Sequence, residues 1–167
     1  MSIKLNNNKL LSLLAIAILL VTASCTNKFD GYSHKNGFYF KLITIGDTVD
    51  LPVAGNYVTT QLRYATVSDS VFFVGNRTFQ LTEPEFEGSI DECFLMLSVG
   101  DSASFIIDAE KFFTKTLQCQ MPSFLGKGDM MKIDIRMNDI RTEEQYRRDK
   151  EEFLKWIEDF GEYEELV

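Results

Sequence analysis

The chain predicts an α+β domain: a mostly antiparallel β-sheet with one short packed helix, and a charged helix at the C-terminus. Three observations predict it. The regular segments between Gly37 and Ile140 are mostly short and rich in aromatic and β-branched residues, as half-buried strands are. One internal segment has helical spacing, with Ile90, Cys93, Phe94 and Leu97 at i, i+3, i+4 and i+7. The segment from Thr142 onward opens with a helix-capping signal and is dense in charge.

The elements follow in order. Gly37 to Ile45 (GFYFKLITI) reads as a strand, and Asp47 to Asn56, with Pro52 and Gly55, as a loop. Tyr57 to Val67 is a second strand whose period of two puts Val58, Thr60, Leu62 and Tyr64 on one face. Asp69-Ser70 is a turn. Val71 to Val74 resumes the sheet and is expected to break at Gly75-Asn76, with Thr78 to Leu81 a separate extended piece. Ser89 and Glu92 form a capping box for the Ile90 helix, and Gly100 is placed to take positive φ beyond its end. Ala103 to Ile107 is a strand, Phe112 to Gly128 an irregular stretch, and Met130 to Ile140 an alternating strand that closes the sheet. Thr142 and Gln145 then cap a helix with sparse apolar residues, Tyr146, Phe153, Ile157 and Phe160. It reads as a solvated helix lying on the domain or projecting from it. Met96, Met130 and Met131 read as packing.

The first residues carry a different signal. Lys4 and Lys9 precede an uncharged apolar run from Leu10 to Ala23, shorter than the ~20 residues of a membrane-spanning helix and right for a signal peptide. Thr22-Ala23-Ser24 before Cys25 resemble a lipobox, which implies lipidation of Cys25 and attachment to a bacterial membrane. Ordinary secretion, with Cys25 a plain thiol, is the other reading of the same residues. The expected organisation is residues 1–24 as signal peptide, 25–36 as a polar lipidated tether, 37–141 as the folded domain and 142–167 as a helical extension.

Composition excludes several classes. The net charge is −8. Arg141 to Val167 holds 5 basic and 10 acidic residues, so the acidity lies mainly in the tail. No basic cluster suits nucleic acid, whose binding rests on neutralising phosphates. The only histidine, His34, falls in the expected tether, so a Ser-His-Asp or Cys-His centre lacks its base. No Cys/His spacing suits a metal and no Gly-rich loop suits a phosphate, so no cofactor is expected. Cys93 and Cys119 fit a disulfide and a pair of free thiols equally.

Four stretches, GFYFKLITIGD, LRYATVSDSVFF, SIDECFLMLSVGDSASFIID and PSFLGKGDMMKIDIRMNDI, resemble in order and spacing the FKBP-type (immunophilin) peptidyl-prolyl isomerases. The resemblance spans about Gly37 to Arg141. It implies a curled, mostly antiparallel β-sheet wrapped around the short helix, with a hydrophobic cavity between them that receives a prolyl ring. By that resemblance Tyr64, Phe73 and Phe113 are the expected catalytic positions. Val74, Phe86, Glu87, Ile90, Phe112 and Ile133 are the expected substrate-binding ones. Val74 stands where the family has Asp, Phe113 lacks the family's Tyr hydroxyl and Ile90 replaces an aromatic floor. The implied function is a prolyl isomerase assisting exported proteins at a bacterial membrane, its partners proline-containing polypeptides. The alternative is a binding or assembly lipoprotein of the same fold that has lost catalysis.

Overall fold

A computed structural model describes residues 28–164, and six antiparallel strands in it hydrogen-bond into one sheet. They are β1 (Ser33–Lys35), β2 (Phe38–Thr44), β3 (Tyr57–Thr66), β4 (Val71–Gln80), β5 (Ser102–Asp108) and β6 (Met130–Arg141). Their order across the sheet is β1-β2-β5-β6-β3-β4. The helices are α1 (Ile90–Phe94), the single turn α2 (Ala109–Lys111), which runs into a π-turn over Phe112–Thr116, and the long α3 (Glu143–Glu164). The expected signal peptide and Cys25 lie outside the described residues.

Alternation fixes which face is covered. On β6, Met131, Ile133, Ile135 and Met137 are buried, while Lys132, Asp134 and Arg136 project from the other side. On β3, Val58, Thr60 and Leu62 point the same way as the buried residues of β6. Against this face lie Ile90, Cys93, Phe94 and Leu97, all buried, so the apolar stripe expected at helical spacing forms the other half of the core.

Several details depart from the sequence reading. The tether expected over residues 25–36 includes strand β1, which pairs His34 with Tyr39 across a turn at Asn36-Gly37. There is no break at Gly75-Asn76. β4 runs through it, Leu62 pairing with Gly75 and Gln61 with Asn76, because an uninterrupted partner strand outweighs the local preference of Gly and Asn for turns. The stretch after Phe112 begins with the π-turn, closed by Leu117 N–H donating to Phe112 O at 3.0 Å. At α1 the expected capping box does not form. Glu92 accepts from Gly88 N (3.0 Å) instead of from Ser89 N, which donates to Phe86 O (3.2 Å), and the buried Ser89 hydroxyl has no partner. At α3 the box is complete: Thr142 N donates to Gln145 Oε1 (2.8 Å) and Gln145 N to Thr142 Oγ1 (3.2 Å). Cys93 and Cys119 are both free thiols, one buried and one exposed.

Candidate functional site

Tyr64 sits near the end of β3, paired with Phe73 of β4 on one side and Ile133 of β6 on the other. Just beyond it the register slips: Tyr64 opposes Phe73 but Ala65 opposes Val71, which leaves Phe72 as the extra residue of a β-bulge. A bulge turns a side chain out of strict alternation. Both consecutive phenylalanines therefore approach the tyrosine, Phe73 at 4.8 Å and Phe72 at 6.3 Å between ring centroids.

The π-turn supplies the opposite wall. Asp108 Oδ1 accepts from Lys111 N at 2.9 Å and starts the turn. The wider winding then buries Phe112 and Phe113 in succession. Phe112 meets Tyr64 edge-on at 5.4 Å, Phe113 lies 6.4 Å from Phe72, and the two are T-shaped at 5.2 Å. Phe124, 55% exposed, lies 5.3 Å from Phe72 at the rim. These separations are all in the range of favourable ring contacts.

The polar features of this aromatic cluster are two. Burial pushes the Tyr64 phenol up to about 12, with the Arg77 cation pulling weakly the other way. The phenol is therefore neutral and able to donate a hydrogen bond throughout the physiological range. The guanidinium of Arg77 lies 5.1 Å above the Phe73 ring, a cation–π contact at the edge of the cluster.

The structure thus brings together Tyr64, Phe73, Phe112 and Phe113, with Ile133 beside Tyr64 in register and Ile90 in the same buried core. Phe86 is placed elsewhere. It is half-buried under the Lys115 ammonium, 5.1 Å from its ring, in a hollow of about 100 Å³ shared with Thr82 and Asp91. The Glu87 side chain is exposed, and its backbone carbonyl packs near Gly37.

Val74 is not in the cluster at all. It pairs with Arg63, is 61% exposed and lines a larger hollow, about 580 Å³, on the opposite face of the sheet. Strand alternation is the reason: the β3–β4 register is regular from Gln80 to Phe73, so Val74, next to the inward Phe73, faces outward with its partner Arg63. Sequence reasoning also missed Phe72, Phe124 and Arg77. The unbroken apolar run Val71-Phe72-Phe73, which abandons alternation, was the available signal for the bulge.

The outer hollow mixes apolar side chains such as Ile43 and Val74 with a charged network. Arg63 bridges Asp134 (2.8 Å) and Asp69 (3.0 Å), Lys132 pairs with Asp69, and Ser104 donates to Asp134 at 2.5 Å. Lys132 first and Arg63 second hold the Asp69 carboxyl below its usual range. Among the described residues, no cluster of His, Cys, Asp and Glu side chains is arranged to hold a metal ion.

No family model matches this chain, and no curated protein matches it. Among solved structures it is similar to FkpA from Escherichia coli, with 12% identity and a TM-score of 0.54 over 83% of this chain and 75% of that one. It is likewise similar to a peptidyl-prolyl cis-trans isomerase from Pseudomonas syringae pv. tomato str. DC3000, with 11% identity and a TM-score of 0.54 over 84% of this chain and 100% of that one. The fold is FKBP-like. At these identities the likeness is one of fold. In FKBP-like terms, the Tyr64 cluster occupies the face of the sheet that carries the helix, and the Arg63–Asp134 hollow the face that does not.

Proposed function

We propose that this chain is a peptidyl-prolyl cis-trans isomerase of FKBP-like fold, acting on exported polypeptides from a lipid anchor at Cys25. The observation that carries the reading is the convergence of Tyr64, Phe73, Phe112 and Phe113, from β3, β4 and the π-turn, into one aromatic cluster. Its rim of Phe72 and Phe124 is open to solvent in part.

Isomerisation needs no nucleophile and no metal. It is rotation about a C–N bond of partial double-bond character, with a barrier of ~18–20 kcal/mol for peptides in general. A dry aromatic surface that holds the prolyl ring favours the twisted amide, whose charge separation is smaller, over the planar one. Binding the twisted state more tightly than the planar state lowers the barrier. The Tyr64 phenol, protonated at physiological pH as a tyrosine ordinarily is, is the donor available to the carbonyl preceding the proline.

A second reading, peptide binding without turnover, draws on the same cluster. Phe113 offers no hydroxyl, and Phe112, Phe113 and Ile133 are themselves buried. A protease-coupled proline assay on the full chain in detergent separates the two. Catalysis predicts a rate above buffer that falls about tenfold or more in Tyr64→Ala and Phe73→Ala with circular dichroism unchanged. A folded sample no faster than buffer removes the isomerase and leaves the binding role.

A further inference from the structure

Helix α3 begins against the sheet and then leaves it. Tyr146 stacks face to face on Tyr57 at 3.9 Å, and Arg141 bonds Asp149 at 2.7 Å. Beyond that point every residue from Glu151 to Phe160 is exposed. The apolar stripe does not stop where the sheet does. At 100° per residue Phe153, Ile157 and Phe160 continue the line of Tyr146, with Trp156 beside them. Phe153, Trp156 and Phe160 stack in series at 6.2 and 5.2 Å, yet each is more than half exposed. Together with Leu154 and Ile157 they leave about 500 Å² of apolar surface, the size of the largest patches on soluble monomers, which are often functional.

We infer that this patch is the contact between two copies of the chain, their α3 helices packed antiparallel about a two-fold axis near Phe153–Trp156. Charge argues for a second copy and for this direction. Residues 143–150 of the helix hold three acidic and three basic side chains, whereas residues 151–160 hold Glu151, Glu152, Glu158 and Asp159 against Lys155. Parallel packing sets the acidic halves on each other. Antiparallel packing sets each acidic half on a neutral one and brings Lys150, on one flank of the stripe, to Glu158 on the same flank of the other copy. A lipid surface is a poor occupant, because helices that lie in membrane interfaces are rich in Lys and Arg on their polar face, whereas residues 143–160 hold seven acidic side chains against four basic ones. Two patches of this size bury about 1,000 Å², and the flanking stems of Lys150 and Glu158 bring the contact toward the ~1,200 Å² of small specific interfaces.

The test is sedimentation equilibrium of the full chain in excess, density-matched detergent. A reversible dimer is expected, and Trp156→Glu converts it to monomer. Lys150→Glu or Glu158→Lys alone weakens association about tenfold, since each places like charges together twice across the axis. The double swap restores it, an outcome peculiar to the antiparallel register. Trp156 is the only tryptophan, so its emission moves to the red as the wild-type dimer is diluted apart. A monomer at every concentration overturns the inference. So does a dimer indifferent to Trp156→Glu, and so does a double swap that fails to recover.

Discussion

Burial, opposed only weakly by Arg77, raises the Tyr64 phenol to about 12, and that shift couples one side chain to the stability of the fold. In the unfolded chain a tyrosine gives up its proton near pH 10. Between pH 10 and 12 the folded state therefore holds a proton that the unfolded state has lost. The stabilisation is complete below pH 10 and disappears as pH rises through 12, an alkaline loss of at most about 3 kcal/mol. Tyr64→Phe is expected to remove that part of the slope. Urea titrations at pH 9 and pH 11.5 measure it, and equal slopes for the two proteins would refute the assignment. Tyr64 was legible in the sequence because β3 alternates strictly. Phe72 was not, because a bulge inserts one residue that pairing across the sheet determines and local pattern does not; Val74 follows Phe73 in a regular strand, so alternation puts it on the opposite face.

The junctions between elements depend on two glycines that touch. Gly100 has the expected positive φ, +90°, but not as a helix cap: α1 ends at Phe94, and Gly100 sits in the turn closed by Asp101 N–H donating to Ser98 O at 3.0 Å. Its Cα approaches Gly46, where a Cβ would fall 2.2 Å from the carbonyl oxygen of Val99. The Asp101 carboxylate ties the same crossing together, accepting from Gly46 N at 2.7 Å and from Ser98 N at 2.8 Å. Gly46→Ala must push backbone from backbone, so it is expected to cost about 2–3 kcal/mol, read as a lowered urea midpoint at unchanged slope. The positive φ of Gly100 could be seen from sequence, though it serves a turn and not the end of the helix. That of Gly46 could not, because its neighbour is more than fifty residues away. The π-turn was hidden for a related reason: it exists to bury two consecutive phenylalanines against β3 and β4, and its own residues carry no periodicity that announces it.

Across the whole molecule, one core joins the inner face of the sheet to the residues from Ile90 to Leu97 and to the π-turn. Cys93 lies within it at 0% exposure. Burial first, and the neighbouring Glu92 and Asp91 second, push its thiol well above the ordinary value. Reactivity requires the thiolate, so Cys93 should resist maleimide until the domain opens, whereas the exposed Cys119 is modified in the native state. Mass spectrometry along a urea series locates the label. Modification of Cys93 at the same midpoint as the loss of circular dichroism is expected for a cooperative unit. The fold class was readable because hydrophobic periodicity distinguished strands from helices. The choice between pocket face and outer face at β4 depended on a register that only the assembled sheet defines. One joint has a mechanical consequence. Between β6 and α3 there is only Thr142, braced by the Tyr57–Tyr146 stack and by Arg141 gripping Asp139 and Asp149. A 22-residue helix is a rod of ~33 Å, so about 5° of play at Thr142 swings its far end by about 3 Å. Small rotations at Thr142 are thus amplified along the length of α3.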